Sequence, residues 1–411
     1  MQRSTDRILT THVGSLIRTD ALRDIHQRRE RGEAVSDAEM ARVLTESVAD
    51  IVARQAEVGI DVPSDGEYGK TGWTAYLMKR LGGLQVRQRQ AGDPEHVDPR
   101  MAGRGQEEFK AFYSAYDPIQ QYDWSGPEFF KSAQSLSHSR PSSAVECVGE
   151  LSYDDSEIKR DIANFKAALA GKSFADAFLP VAAPESARGV RLNRFYKSDD
   201  AFLAALGDVL KAEYKAIIDA GLLIQLDDAY LATDYDRRLV TQDAAAVHKH
   251  FAAYVEMLNH ALEGIPEERV RYHVCWGSWN GPHTSDVPLR TIIDLILKVK
   301  AQAYTFEGAG PRHAHEYEVW GERGLPDGKI LLPGVVSHAT NVVEHPELVA
   351  LRITSFAKIV GRENVIASTD CGFSQNWNHM RVHPQVQWAK LKALVEGAQI
   401  ASKALWSKAA A

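Results

Sequence analysis

Residues 201–230 read AFLAALGDVLKAEYKAIIDAGLLIQLDDAY, and the two parts of this stretch follow different periods. Phe202, Leu203, Leu206, Val209, Leu210 and Ile217 recur at the three-and-four spacing of one helix face. Gly221 ends that pattern, and a short apolar run then closes on two carboxylates, Asp227 and Asp228. The unit is a helix, a glycine stop, and a strand whose C-terminal end turns polar.

The same unit recurs along the chain. Ser36-Asp-Ala-Glu39 has the spacing of a capping box and opens a helix that runs to Val58, stops at Gly59 and leads into IDVPSDGE (residues 60–67). PLRTIIDLILKVKAQ leads into AYTFEGA, and PELVALRITSFAKIVG into NVIASTDCG. Eight strand ends follow, near His12–Ser15, Asp65–Glu67, Pro184–Ser186, Asp227–Asp228, His273–Cys275, Glu307, Ser337–His338 and Thr369–Cys371. Strands alternating with helices pair in parallel through right-handed crossovers. Eight such units predict an α/β fold of the (β/α)8 TIM-barrel type, one catalytic domain over residues 1–411, with its site at the C-terminal strand ends. A doubly wound open sheet is the alternative, and TTHVGSLIRT is a poor phosphate loop for it.

Residues 69–150 break the pattern and read as an insertion after strand two. They hold DPEHVDPRMAGRG, read as loop, and the aromatic-rich DPIQQYDWSGPEFF; either the segment covers the barrel mouth or it packs beside it as a peripheral or subunit contact.

The 411 residues are 44% apolar and 25% charged with a net charge of −7, which argues against a nucleic-acid surface. No apolar run has the length of a membrane span, and MQRSTDRILT lacks a signal-peptide core, so a cytoplasmic protein is expected. Three cysteines cannot build a disulfide framework and are free for metal or chemistry.

Two of those cysteines sit at strand ends: YHVCWGSW (residues 272–279) holds His273 and Cys275, and ASTDCGFS (residues 367–374) holds Cys371. His-x-Cys on a strand puts both side chains on one face, with Val274 turned the other way. Adding Glu307 gives a His/Cys/Glu/Cys donor set that suits Zn2+. Each residue has a plainer reading, since cysteine is often a small buried hydrophobe and Glu307 could be a solvated loop carboxylate. Two thiolates and a carboxylate make an anionic centre, poor for activating water but good for holding a thiol as an electron-rich thiolate. S-alkylation is the reaction class implied.

THVGSL, SDGE, QLDD, HVC, FEG, SHATN and TDCG occur in the order found in another family. The chain resembles the catalytic C-terminal barrel of cobalamin-independent methionine synthase and its single-barrel relatives, which include epoxyalkane:coenzyme M transferases. The resemblance implies that His273, Cys275, Glu307 and Cys371 hold zinc. It implies that Val13, Gly14 and Ser15 line an amino-acid thiol whose ammonium meets Glu67 and Asp227, and that His338 supplies a proton. Read from the residues alone, Glu67 and Asp227 could equally cap helices and His338 could be a structural histidine. Trp276, with Trp73, Trp279 and Trp377, could wall in an alkyl or aromatic electrophile or simply pack.

Two departures from the family pattern affect the substrate. The length leaves no room for the second barrel that helps such synthases bind polyglutamyl folate, and strand four continues Asp227-Asp228-Ala229 where Asp-Glu-Pro is usual. The expected partners are a small thiol and an electrophilic alkyl donor, with homo-oligomerisation left open. Methyl transfer to homocysteine or a related thiol leads, and thiol addition to an epoxide or ether-like electrophile follows. Arg18 and Lys70 are the cations that could anchor an acidic thiol. A zinc hydrolase or lyase, and a zinc-stabilised sensor of thiol or metal, are the rivals outside thiol alkylation.

Overall fold

The computed structural model describes residues 1–88, 90, 105–112, 143–188, 191–278 and 281–407. Its strands are β1 (Leu9–Thr10), β2 (Leu81–Gln88), β3 (Ser143–Tyr153), β4 (Phe178–Ala182), β5 (Leu192–Asn193), β6 (Leu223–Asp228), β7 (Val270–Val274), β8 (Ala303–Phe306), β9 (Ile330–Val336) and β10 (Ile366–Thr369). Seven of them form one parallel sheet in the order β1-β10-β9-β8-β7-β6-β4.

The gap between β1 and β4 is closed by residues 61–63. Val62 pairs with Thr11 as a single parallel bridge, and on the other side Ala175 and Phe178 donate their N–H groups to the carbonyls of Asp61 and Pro63. This is the expected second strand reduced to one bridge. Pro63 follows Val62 and has no N–H to continue a ladder. The third expected strand end also moves: β4 stops at Ala182, and Pro184–Arg188 is a helical turn with proline at its first position. The remaining strand ends fall where the polar residues predict them.

Local chemistry sets the helices. Ser36 caps the helix Asp37–Val58 by accepting the Glu39 N–H at 3.1 Å, a contact worth about 1 kcal/mol. Gly59 ends that helix in the left-handed region at φ 96°, where a side chain would be strained. The helix Asp199–Asp219 buries Phe202, Leu206, Leu210 and Ile217.

The barrel interior carries polar side chains that fix the strand ends. Arg271 is fully buried on β7, its guanidinium 3.7 Å from the Phe178 ring centroid, and it donates to Thr11 Oγ1 and the His12 carbonyl. One rung above it on the same face comes His273.

A second sheet follows the Val62 segment: β2 pairs antiparallel with β3, and β3 pairs with β5. Arg80, fully buried at its base, bonds Glu213 at 2.7 Å and Asp161 at 2.6 Å. Most of DPEHVDPRMAGRG and all of DPIQQYDWSGPEFF lie outside the described residues. Of the expected insertion, Gly105 donates its N–H to Ser285 in the loop after β7, and Gly72 bridges Asn376 in the loop after β10. Among the described residues no helix is long and apolar enough to cross a membrane.

Candidate metal centre

β7 is buried along its length and delivers His273 and then Cys275 to the barrel mouth; β10 ends two residues before Cys371. The sulfurs of Cys275 and Cys371 lie 3.6 Å apart, and His273 joins them so that one donor atom from each falls within 4.8 Å of the others. All three residues are buried. Two thiolates on a tetrahedral zinc, each about 2.3 Å from it, would stand about 3.8 Å apart, close to the spacing found. Among the described residues no nitrogen or oxygen group pairs with either ring nitrogen of His273, whose polar neighbour is the Cys371 sulfur. Buried imidazole nitrogens are normally satisfied by nitrogen or oxygen groups, so a ring with only sulfur beside it fits a metal ligand.

The two thiols form a hydrogen-bonded pair. The hydrogen bond from Cys275 pulls the Cys371 thiol well below its usual range, and the same bond pushes Cys275 well above it, with burial adding to that rise. Ser278 Oγ donates to Cys371 Sγ at 3.0 Å, and the Gly277 N–H points to Cys275 Sγ at 3.3 Å. Burial opposes charge on His273, but the neighbouring Cys371 sulfur outweighs it and the imidazole pKa is raised.

Glu307 follows β8 and is buried, but it is not one of the three metal-spaced residues. Its Oε1 accepts the Trp276 N–H at 2.9 Å. Burial, with Asp370 nearby, pushes its carboxyl up to about 7.

A cavity of about 320 Å³ opens beside the sulfurs. Val13, Ser15, Glu67 and Asp227 line it together with His273, Cys275 and Cys371. Asp227 is the register partner of His273 across β6 and β7. Burial pushes the Asp227 carboxyl up to about 7, His273 pulls it back, and Glu67 adds repulsion. Glu67 pairs with Lys70 at 3.0 Å, both buried. Lys70 offsets Glu67, while the Asp227 carboxyl has the neutral Gln225 amide as its hydrogen-bond partner.

Gly14 is not on the cavity wall; it sits at φ 116° where a Cβ would run into Pro180. Trp276 is buried off the wall, its Nε1 bonded to the Val287 carbonyl at 2.7 Å. Trp73 is on the wall, Trp377 is not, and Trp279 lies outside the described residues. Arg18 is buried and spends its guanidinium on backbone carbonyls of Ser374, Glu67 and Lys70. His338 is buried off the wall with both ring nitrogens unpartnered. Burial, against the pull of Cys371, pushes its pKa down to about 4.

Three contributions receive no role in the motif reading. Ser278 lies inside YHVCWGSW but looks like any loop serine. The polar run after Cys371 brings Gln375, Asn376, His379 and Arg381 to the wall. Gln225 Nε2 donates both to the Val13 carbonyl at 2.6 Å and to Asp227 Oδ1 at 2.9 Å, tying the end of β1 to the Asp227 carboxylate. Its position two residues before Asp227, on the same strand face, is the signal that could find it.

Comparison with known proteins agrees with this geometry. Methionine synthase of Sulfurisphaera tokodaii is 21% identical over 97% of this chain and 94% of its own. The 2-hydroxypropyl-CoM lyase of Xanthobacter autotrophicus is 26% identical over 36% of this chain and 44% of its own. The structure of a B12-independent methionine synthase from Shewanella sp. W3-18-1, in complex with selenomethionine, superposes with a TM-score of 0.66 at 18% identity, covering 97% of this chain and 99% of that one. Residues 8–93 and 192–398 match the model of the cobalamin-independent synthase catalytic domain, and the chain belongs to that family.

Proposed function

We propose that this protein is a zinc-dependent thiol methyltransferase whose acceptor is an amino-acid thiol of the homocysteine type. The observation that carries the proposal is one cavity bordered by a His/Cys/Cys donor set on one side and by Glu67 and Asp227 on the other. A thiol of that type has its ammonium a few bonds from its sulfur, so it can reach both sides at once. Zinc held by His273, Cys275 and Cys371 would take the substrate sulfur as thiolate at neutral pH.

The chain's own residues do the rest. Glu67 and Asp227 receive the ammonium, whose charge draws Asp227 toward its ionised form. Gln225 holds Asp227 and the Val13 carbonyl in register, and Ser278 steadies Cys371. The sulfur forms a bond to the methyl carbon as the bond from that carbon to the donor nitrogen or oxygen breaks. The departing atom takes a proton, which His338 is proposed to relay once the negative charge developing on that atom raises the ring's pKa from the resting value of about 4, and Glu307 is the proposed mobile fourth ligand of the zinc.

The partial match to a 2-hydroxypropyl-CoM lyase favours a second reading, in which a thiolate opens an epoxide at the same site. One assay separates the two. Zinc-loaded protein is supplied with homocysteine and a methyl-folate monoglutamate, or with coenzyme M and epoxypropane, and the S-alkyl product is followed by mass spectrometry. Methionine is the expected product. A hydroxypropyl thioether instead would install the second reading, and no thiol-dependent product from either pair would remove both.

A further inference from the structure

Behind the metal centre, outside the cavity wall, four ionisable side chains meet. The loop after β7 brings His283 and Asp286, and the segment after β8 brings His313 and Glu316. His313 Nδ1 lies 2.8 Å from Glu316 Oε2, and its Nε2 lies 3.0 Å from Asp286 Oδ2. His283 Nδ1 is 2.9 Å from the same Asp286 oxygen, and the other Glu316 oxygen takes the Leu289 N–H at 2.7 Å.

This wiring constrains the ring. Ionised carboxylates only accept hydrogen bonds, and an imidazole donates from both nitrogens only when protonated. His313 is therefore an imidazolium unless one of the two carboxylates holds a proton. Burial opposes the charge, but Asp286, Glu316 and the more distant Glu307 outweigh it and raise the ring pKa to about 10. Asp286 is held below its usual range in spite of burial by the two histidines.

The ring also touches the metal-bearing strand. Its centroid lies 4.5 Å from that of Trp276, tilted by 36°. A cation at that distance from an indole is attracted by the ring's electron-rich face. Trp276 follows Cys275 directly, its indole is anchored on Val287, and its N–H holds Glu307.

We propose that His313 is a permanently charged positioning residue that clamps the loops after β7 and β8 together, braces the Cys275–Trp276 strand end and thereby sets the zinc affinity of the centre. Only the last clause rests on the metal-centre reading. The clamp also places a fixed positive charge behind an anionic thiolate cluster, where a neutral residue of similar shape would not offset that charge.

The test has two readouts. The first is the ¹⁵N spectrum of the histidine rings in the full chain, with His313 assigned by its loss in His313→Gln. Both of its nitrogens are expected to remain of imidazolium type from pH 6 to pH 9, and a neutral-ring pattern at pH 7 would overturn the clamp. Asp286→Asn removes one of the carboxylates and is expected to bring the ring's transition down into that range; no shift would count against the clamp equally.

The second readout is zinc affinity by chelator competition. His313→Gln is expected to weaken zinc about 10–100-fold, the usual cost of losing a residue that orients metal ligands, and His313→Arg to recover most of that loss by restoring the charge. Unchanged affinity in the Gln variant, or equal losses in both, would overturn the link to the metal. Absence of zinc from the unaltered chain would defeat the metal-centre reading instead, and the ring spectrum would still decide the clamp.

Discussion

The two sides of the barrel mouth are built on opposite principles. On the side of β7 and β10, two sulfurs 3.6 Å apart and an imidazole whose nearest polar neighbour is one of them make a soft donor set. On the side of β1 and β6, the Glu67 carboxylate is paired with Lys70, and the Asp227 carboxyl is held by the neutral Gln225 amide. The first arrangement suits a metal ion and the second an ammonium group. An amino-acid thiol bound between them supplies a sulfur to one side and an ammonium to the other, which is why neither half alone specifies the reaction.

The largest effect expected on this contrast comes from Cys371→Ser. A thiolate is lost from the sulfur side, and zinc affinity should fall by roughly a thousandfold, about 4 kcal/mol or a quarter of the strength of a four-ligand site. Equilibrium dialysis with the circular-dichroism spectrum as the folding control measures it. Unchanged zinc content would take Cys371 out of the centre.

Lys70→Met acts on the other side and should leave zinc alone. It strands the buried Glu67 carboxylate, and chemical denaturation should show a loss of about 3 kcal/mol. A fully stable variant would mean that the Glu67–Lys70 ion pair is not formed in solution.

Asp227→Asn sharpens the division of labour. It should raise KM for the amino-acid thiol by roughly thirtyfold, about 2 kcal/mol of charge-assisted hydrogen bonding, with zinc stoichiometry unaltered. A fall in zinc content with KM unchanged would place Asp227 on the metal side.

The smallest effect concerns the rim that joins the two sides. His26 stacks on Trp377 at 5.3 Å in the loop after β10, with its Nε2 unpartnered. Burial, helped by Arg18, Arg29 and Lys79, lowers its pKa from 6.5 to about 3. A histidine held neutral in the fold contributes stability that is present above pH 6.5 and is lost as the pH falls toward 3. At pH 5.5 the loss is about 1.4 kcal/mol. His26→Phe should remove that acid sensitivity, measured as the difference in unfolding free energy between pH 8 and pH 5.5. An unchanged difference would show that His26 is solvated in solution.

Much of this was legible in the sequence because barrel strands end in the residues that do the chemistry. Period-two alternation aligns His273 with Cys275, and the polar residues closing β6, β7, β8, β9 and β10 mark the mouth. The same alternation turns Trp276 away from Cys275, and its indole bonds the Val287 carbonyl off the cavity wall. Strand two shrank to the Val62 bridge because Pro63 has no N–H, and the helical turn at Pro184 replaced the third strand end for a related reason, proline favouring a helix start. What local patterns do not carry is contact across the barrel. Gln225 reaching Val13, Ser278 reaching Cys371, and His313 reaching Asp286 and Glu316 each join residues whose own neighbourhoods look like ordinary strand or loop.

The central claim is that a zinc ion at His273, Cys275 and Cys371 binds the substrate's sulfur. Zinc-edge X-ray absorption on the zinc-loaded protein, alone and with homocysteine, coenzyme M or glutathione, tests it most directly. About one zinc per chain with two sulfur neighbours is expected, rising to three with homocysteine and with neither other thiol. No bound zinc, or a sulfur count that no thiol changes, would contradict it.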